Sequence, residues 1–302
     1  MPELPEVQTI TNDLNSKILN KKISSVDIQL KNIVKGNLQD FTKTLIDNSF
    51  KKIERRGKFI ILKLERDNKH LIIHLRLTGQ LIYQNKNEII AGGHDTGENN
   101  FNLLNKQAHL IIHFEDNSKL FYNDQRQFGF LQIVNNKELL KIKEKLGVEP
   151  LDEKFTLEVF SKLLKGKKSN VKAFLLDQKH IAGIGNIYAD ETLFKAGIRP
   201  TRNLNSLDPV EIKKLFNSIK TILKKAVKLR GTSFNNYRDT DGNKGDFAKM
   251  LKVYGRDGEK CSVCNSIIIK TKVAGRGTRY CPKCQPNILK KSLNRPVQNK
   301  LI

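Results

Sequence analysis

Near the start of the chain Val7, Ile10, Leu14 and Ile18 recur at spacings of 3, 4 and 4, which places them on one face of an α-helix. From Ile23 to about Val134 the pattern shortens into apolar runs, IERRGKFIILKL, HLIIHLRLTGQLIY, AHLIIHFED and KLFYND. Their alternation, with turn signals at Asp67-Asn68 and Asp116-Asn117, predicts a largely antiparallel, two-sheet structure. The stretch from Ile89 to Asn102, with Gly-Gly, Asp-Thr-Gly and Asn-Asn, reads as a loop. A lysine-rich helix over 136–145 then leads to Gly147-Val148-Glu149-Pro150, a connection between domains.

Beyond that point the period becomes helical. Residues 156–165 and 169–177 are predicted helices, the second with Ser169 as its N-cap. A tight Gly183-Ile184-Gly185 turn precedes a third helix beginning near Asn186. Asp208-Pro209-Val210-Glu211 is a capping-box pattern with Pro at the first helical position, and it starts a long amphipathic helix that stops at Gly231. Residues 232–247 lack periodicity. The expected architecture is α+β and multidomain: a β-sandwich with flanking helices over 1–146, a helical domain over 147–250, a cysteine-bearing hairpin over 251–288 and a basic tail over 289–302.

Composition narrows the function classes. The 302 residues carry 55 Lys+Arg against 31 Asp+Glu, a net charge of +24. Residues 1–146 hold 23 basic and 17 acidic side chains, net +6, and residues 147–302 hold 32 and 14, net +18. Such a bias suits a polyanion, because neutralising phosphates releases counterions; anionic membrane surfaces and a merely solvated lysine-rich face are the rivals. No run reaches the roughly 20 apolar residues of a membrane span. The start, MPELPEVQTI, has carboxylates where a secretory signal has positive charge, so a cytoplasmic protein is expected.

All four cysteines lie together: Cys261-x2-Cys264, sixteen residues, then Cys281-x2-Cys284. Two CxxC knuckles at this spacing predict a tetrahedral all-thiolate zinc ribbon, and two disulfides are the alternative. Four thiolates leave no open coordination position, so one structural zinc is expected. The intervening SIIIKTKVAGRGTRY reads as a β-hairpin with Ala274-Gly275-Arg276-Gly277 at its tip. The helix N-terminus after Gly185, approached by Lys167, Lys168 and Lys172, presents backbone N–H groups to an anion; tight packing between helices is the alternative.

Proline at position 2 permits removal of Met1, which would leave a secondary amine at a helix N-terminus beside Glu3 and near Glu6. An α-amine of pKa about 7.7–8.0 is unprotonated to roughly 10–20% at neutral pH, against well under 0.1% for a lysine near 10.4. Attack of a secondary amine on a sugar C1′ yields a cationic iminium, which serves as an electron sink for elimination. Glu3 would exchange protons with the departing base and the sugar. The alternative is that Pro2 merely starts the helix and that Glu3 and Glu6 complement its dipole.

PELPEV after Met1, RRGKF, HLRLTG, LLDQ…GIGNIY and the CxxC ribbon, in this order, resemble the formamidopyrimidine-DNA glycosylases from Pro2 to about Cys284. The resemblance implies a bifunctional base-excision-repair enzyme for oxidised purines such as 8-oxoguanine and formamidopyrimidines. It would cleave the N-glycosidic bond and then carry out β,δ-elimination. The implied fold is a β-sandwich and a helix–two-turn–helix domain with a zinc finger, acting as a monomer on duplex DNA. Pro2 matches the Schiff-base nucleophile, Glu3 the proton donor, Lys58, on a predicted strand, the lysine of β-elimination, and Arg276 the arginine of δ-elimination and phosphate binding. Arg126, Lys168, Lys172, Asn186, His74, Phe128 and His109 match DNA contacts. Tyr237, in the 232–247 segment, is a candidate for reading the lesion. An endonuclease VIII-like enzyme for oxidised pyrimidines and a non-catalytic zinc-ribbon DNA-binding protein are the alternatives, the PELPEV start disfavouring the first.

Three positions depart from that pattern. Leu77 stands where a methionine usually fills the gap left by a flipped base; an apolar wedge survives, but a branched one. The family's Asp-Pro-Arg-Arg-Phe-Gly run appears as Asp124-Gln125-Arg126-Gln127-Phe128-Gly129, which keeps the arginine and phenylalanine expected at the orphaned base. In Lys106-Gln107-Ala108-His109, Gln107 replaces a histidine, so one DNA contact changes.

Overall fold

A computed structural model describes residues 1–86, 89–93, 108–232 and 246–287. Helix α1 (Leu4–Ile18) opens the chain, and the Glu6 carboxylate accepts from the Glu3 N–H at 2.9 Å, closing its first turn. All four residues of the predicted apolar face are buried. They pack into the N-terminal core, whereas Leu4, one turn earlier, packs into the helical domain. One helix therefore enters two cores, and its first residues lie at the junction.

The N-terminal domain is a sandwich of two five-stranded sheets. The first sheet is ordered β1 (Ile23–Ile28), β8 (Leu110–Phe114), β9 (Lys119–Asp124), β6 (Gly79–Gln84) and β7 (Ile89–Gly93). The second is ordered β2 (Val34–Lys35), β10 (Phe130–Asn135), β5 (Lys69–His74), β4 (Phe59–Leu64) and β3 (Phe50–Arg56). Alternation fixes the register: Ile60 opposes Ile73 and Leu62 opposes Leu71, and all four face the core. Helix α2 (Leu38–Leu45) packs against this domain through Phe41 and Leu45.

Two expectations change here. Residues 89–93 form a strand rather than a loop, pairing antiparallel with β6 from Gln84↔Ile89 to Gln80↔Gly93. The free edge of β6 supplies the partner, so Gly92-Gly93 ends a strand instead of marking a loop. Lys58 lies in the two-residue turn Gly57–Lys58 between β3 and β4, not on a strand.

Helix α3 (Asn136–Glu144) joins the sandwich to the helical domain, built from α4 (Leu157–Leu164), α5 (Val171–Leu176), α6 (Asn186–Ala196) and α7 (Pro209–Lys228). Phe155, Phe160, Phe174, Leu193, Leu215 and Leu223 lie in its core. The expected capping box is present: Asp208 accepts from Glu211 N–H at 2.8 Å and Glu211 from Asp208 N–H at 3.0 Å. The cap of α5 is Asn170, not Ser169. Asn170 Oδ1 accepts from Ala173 N–H at 2.8 Å, while the Ser169 carbonyl is engaged by Leu204 N–H. A hairpin of β11 (Ile269–Val273) and β12 (Arg276–Tyr280) completes the fold, its two-residue turn being Ala274-Gly275 with Arg276 opening β12. No helix among the described residues is long and apolar enough to cross a membrane.

Candidate active site and nucleic-acid interface

The helix N-terminus at α6 does hold an anion, but the anion is Glu3. Its carboxylate accepts from the backbone N–H groups of Gly185 (2.8 Å), Ile187 (3.0 Å) and Tyr188 (3.4 Å). The expectation of a phosphate at this turn is thereby corrected: the chain's own start fills the site. The two glycines answer to the same packing. A Cβ at Gly185 would meet Glu3 Cδ at 2.3 Å, and one at Gly183, which has φ +90°, would meet Leu4 Cβ at 2.7 Å. Burial pushes the Glu3 carboxyl above the ordinary glutamate range; Lys58 opposes the shift and Glu6 adds to it.

Glu6 fastens the same end of α1 to the helical domain. It accepts from the Tyr188 hydroxyl at 2.5 Å and from Thr232 N–H and Oγ1 at 2.7 and 3.0 Å. Around this carboxylate pair stand the cations. Burial lowers the Met1 amine below its usual pKa, against the pull of Glu3 and Glu6, and Lys58 lowers it further. Lys58 is itself buried and pushed down by that burial; Glu3 and Glu6 oppose the shift, and Arg276 adds to it. The amino terminus, Glu3, Lys58 and Arg276 thus share one electrostatic environment although they come from α1, the β3–β4 turn and the β11–β12 hairpin. The turn bearing Lys58 is held by Glu149, which accepts from Arg55 (2.6 and 3.1 Å), Arg56 (2.9 Å) and Gly57 N–H (2.5 Å).

The four cysteine Sγ atoms lie within 4.8 Å of one another, and no disulfide joins them. Tetrahedral thiolates at a Zn–S distance of about 2.3 Å stand about 3.8 Å apart, so the donor set and its spacing fit one zinc. Among the described residues this is the one cluster of metal-binding side chains. The ribbon docks on α6. Gln285 Nε2 donates to the Ile198 carbonyl at 2.8 Å, Arg279 N–H to Asp190 Oδ2 at 2.9 Å, and Asn186 Nδ2 to the Gly277 carbonyl at 2.9 Å.

Family models for the formamidopyrimidine-DNA glycosylase N-terminal domain, its H2TH domain and the zinc finger found in FPG and IleRS match residues 1–131, 146–238 and 258–287. Formamidopyrimidine-DNA glycosylases of Carboxydothermus hydrogenoformans and Desulfitobacterium hafniense are 41% and 39% identical, each over 94% of this chain and 100% of their own length. The chain belongs to the formamidopyrimidine-DNA glycosylase family. A Lactococcus lactis enzyme variant in complex with Fapy-dG-containing DNA superposes with a TM-score of 0.82 at 36% identity, over 95% of this chain and all of that one. The Lactococcus enzyme on abasic-site DNA gives 0.81 at 35%, over 94% and all of the respective chains. As a family member the chain is a DNA glycosylase of base excision repair, with a structural zinc finger.

On this glycosylase the exposed duplex-facing candidates cluster in two segments. The β5–β6 turn carries exposed Arg76 and half-buried Leu77; the β9–β10 loop carries Arg126 with its guanidinium 4.9 Å from the ring of Phe128, which is 54% exposed. Lys168 is exposed between α4 and α5. His74 is buried, stacked on Phe130 and edge-on to Phe59. Burial, reinforced by Arg76 and Lys58, lowers its pKa to about 3. Its Nδ1 accepts from Arg76 N–H at 3.0 Å, so the neutral ring carries its proton on Nε2 and can act only as a neutral donor.

One expected DNA contact, Lys172, is corrected, and Asn186 and His109 already have partners within the protein. Lys172 is fully buried, ion-paired with Asp190 at 2.6 Å and bonded to the Thr278 hydroxyl at 2.8 Å; it ties the hairpin to α6. Asn186 is engaged by the same hairpin. His109 Nε2–H donates to the Asp124 carbonyl oxygen, 2.9 Å away, beneath the β9–β10 loop. Gln107 and Tyr237 lie outside the described residues. Sequence reasoning missed Glu149, Asp190, Thr78 and Asp124. Glu149, in the interdomain connection, and Asp124, which opens the Asp124–Gly129 run, carried a sequence signal.

Proposed function

We propose that this glycosylase removes oxidised purines through a Schiff base on Pro2 and then cleaves the strand by β,δ-elimination. The observation that carries the reading is the shared burial of Pro2, Glu3 and Lys58. Once Met1 is removed, the Pro2 nitrogen is the terminal amine of that environment, and desolvation there favours its neutral, nucleophilic form. Its electron pair forms the bond to C1′ as the bond from C1′ to the base breaks. Glu3, whose proton affinity is raised, protonates the leaving base. Glu3, now deprotonated, takes the proton from the Pro2 nitrogen and returns it to O4′ as the C1′–O4′ bond breaks, which opens the sugar and leaves an iminium between Pro2 and C1′. Lys58, whose proton affinity burial lowers, takes a C2′ proton, and the 3′ phosphate leaves. Arg276 holds the phosphate on the other side for the δ step. Arg126, Phe128 and Leu77 enter the duplex where the damaged nucleotide is extruded, which the reaction requires because C1′ cannot be approached within the stack. Lys168 and the +18 charge of residues 147–302 supply backbone affinity. The substrate is therefore duplex DNA holding an oxidised purine or an abasic site, met by a monomer in the cytoplasm.

Borohydride trapping on a duplex with 8-oxoguanine opposite cytosine tests this. A covalent adduct is expected with the processed chain and none with Pro2→Gly or with Met1 retained. An adduct that survives both changes would assign the nucleophile elsewhere. Preference for an oxidised pyrimidine would transfer the enzyme to the endonuclease VIII-like class.

A further inference from the structure

We infer that Asp124 and Thr78 are positioning residues that lock the β5–β6 turn and the β9–β10 loop into one unit, so that Leu77, Arg126 and Phe128 enter DNA together. The inference rests on the reading of the protein as a duplex-opening glycosylase.

Asp124 ends β9 directly opposite Gly79, the first residue of β6, and both it and Thr78 are buried. Its Oδ1 accepts the Thr78 hydroxyl in a short hydrogen bond and the Arg126 N–H at 3.3 Å. Its Oδ2 accepts Gly129 N–H at 2.6 Å and the Tyr122 hydroxyl at 3.4 Å. The Thr78 oxygen in turn accepts Arg126 N–H at 3.0 Å. The Asp124 carbonyl holds Gln127 N–H at 3.0 Å and the His109 ring.

The carboxylate therefore grips both ends of the loop, at Arg126 and Gly129, and the residue that follows Leu77. Two segments far apart in the chain share one buried anion. Moving either alone would leave a buried carboxylate oxygen or N–H without its partner, which is unfavourable enough to suppress independent motion. Gly129 belongs to the same arrangement: a Cβ there would meet the Tyr122 hydroxyl at 2.0 Å.

The test separates duplex opening from amine chemistry. Single-turnover excision of 8-oxoguanine from a duplex reports both, whereas trapping on a single-stranded abasic oligonucleotide has no stack to open. Thr78→Val should slow duplex excision about 10- to 100-fold through one lost buried hydrogen bond and its orphaned partners. It should leave single-strand trapping within about twofold, since no reacting group is touched. Thr78→Ser, which keeps the hydroxyl, should restore excision. Adding Thr78→Val to Asp124→Asn should slow excision no further, because the two act as one device. Wild-type duplex excision by Thr78→Val, an equal loss on both substrates, or failure of serine to restore would each overturn the inference. Absence of trapping by the wild-type protein would instead sink the nucleophile reading, leaving the two failures distinguishable.

Discussion

Glu149→Gln perturbs the carboxylate on which the position of Lys58 depends. Four donors converge on its two oxygens at 2.5–3.1 Å, from Arg55, Arg56 and Gly57. A glutamine oxygen in the Oε1 place can keep three of them, but its amide nitrogen then faces the second Arg55 donor, and two guanidinium groups lose their counter-charge. The Arg55 and Glu149 side chains are only 7% and 15% exposed, so solvent replaces little of what is lost. A cost of about 3–5 kcal/mol follows, as for other pairs broken from one side. At about 2–4 °C per kcal/mol this is a fall of roughly 6–20 °C in the melting midpoint. The pH dependence has a definite sign. Burial alone would raise the Glu149 carboxyl, but the charge and hydrogen bonds of Arg55, with Gly57 N–H and Arg56, hold it below the usual range. Its contribution is thus present above the unfolded value of about 4.3 and is lost as pH falls through the lower folded value. The gap between the melting curves of wild type and Glu149→Gln should be full above about pH 5 and shrink as the pH falls below about 4. A gap under about 1 kcal/mol at pH 7, or one that does not shrink in acid, would refute the reasoning.

Three further outcomes are expected. Metal analysis should give about one zinc per chain, and Cys264→Ser should weaken DNA binding by freeing the hairpin that presents Arg276; a metal-free protein with full affinity would contradict the ribbon. Leu77→Ala should slow excision from a duplex by about tenfold or more while sparing cleavage of a preformed abasic site, and equal effects on both would deny it the role of wedge. Because the His74 pKa is lowered to about 3, its neutral ring favours the fold above about pH 6.5, and that support is lost as pH falls toward the folded value. His74→Gln should accordingly lose less stability than wild type between about pH 6 and pH 4, and a ring signal titrating near 6.5 in the folded protein would disprove its burial as a neutral group.

The features legible in the chain were those governed by local spacing. Val7, Ile10, Leu14 and Ile18 sit on one face because a helix has 3.6 residues per turn, whatever they pack against. The CxxC pairs and the Asp208–Glu211 box likewise need only their own neighbours. The readings that changed depended on a partner elsewhere. Residues 89–93 became a strand because β6 offered an edge, and Lys172 turned inward because Asp190 faces it from α6. Lys58 moved from a strand to a turn by the pairing of Arg56 with Phe59.

The +24 charge, the cysteine spacing and the alternating and helical periods are properties of the chain itself, and they pointed to the fold class, a zinc ribbon and a polyanionic partner, whereas the chemistry of the opening Pro-Glu pair entered only through the resemblance of the ordered motifs. Only the tertiary structure decided which anion meets the helix after Gly185. Glu3 and Gly185 are 182 residues apart, and no local pattern encodes their meeting. It arises because α1 buries Leu4 in one core and Val7 in the other, which brings the chain's first residues to the junction where Lys58 and Arg276 converge.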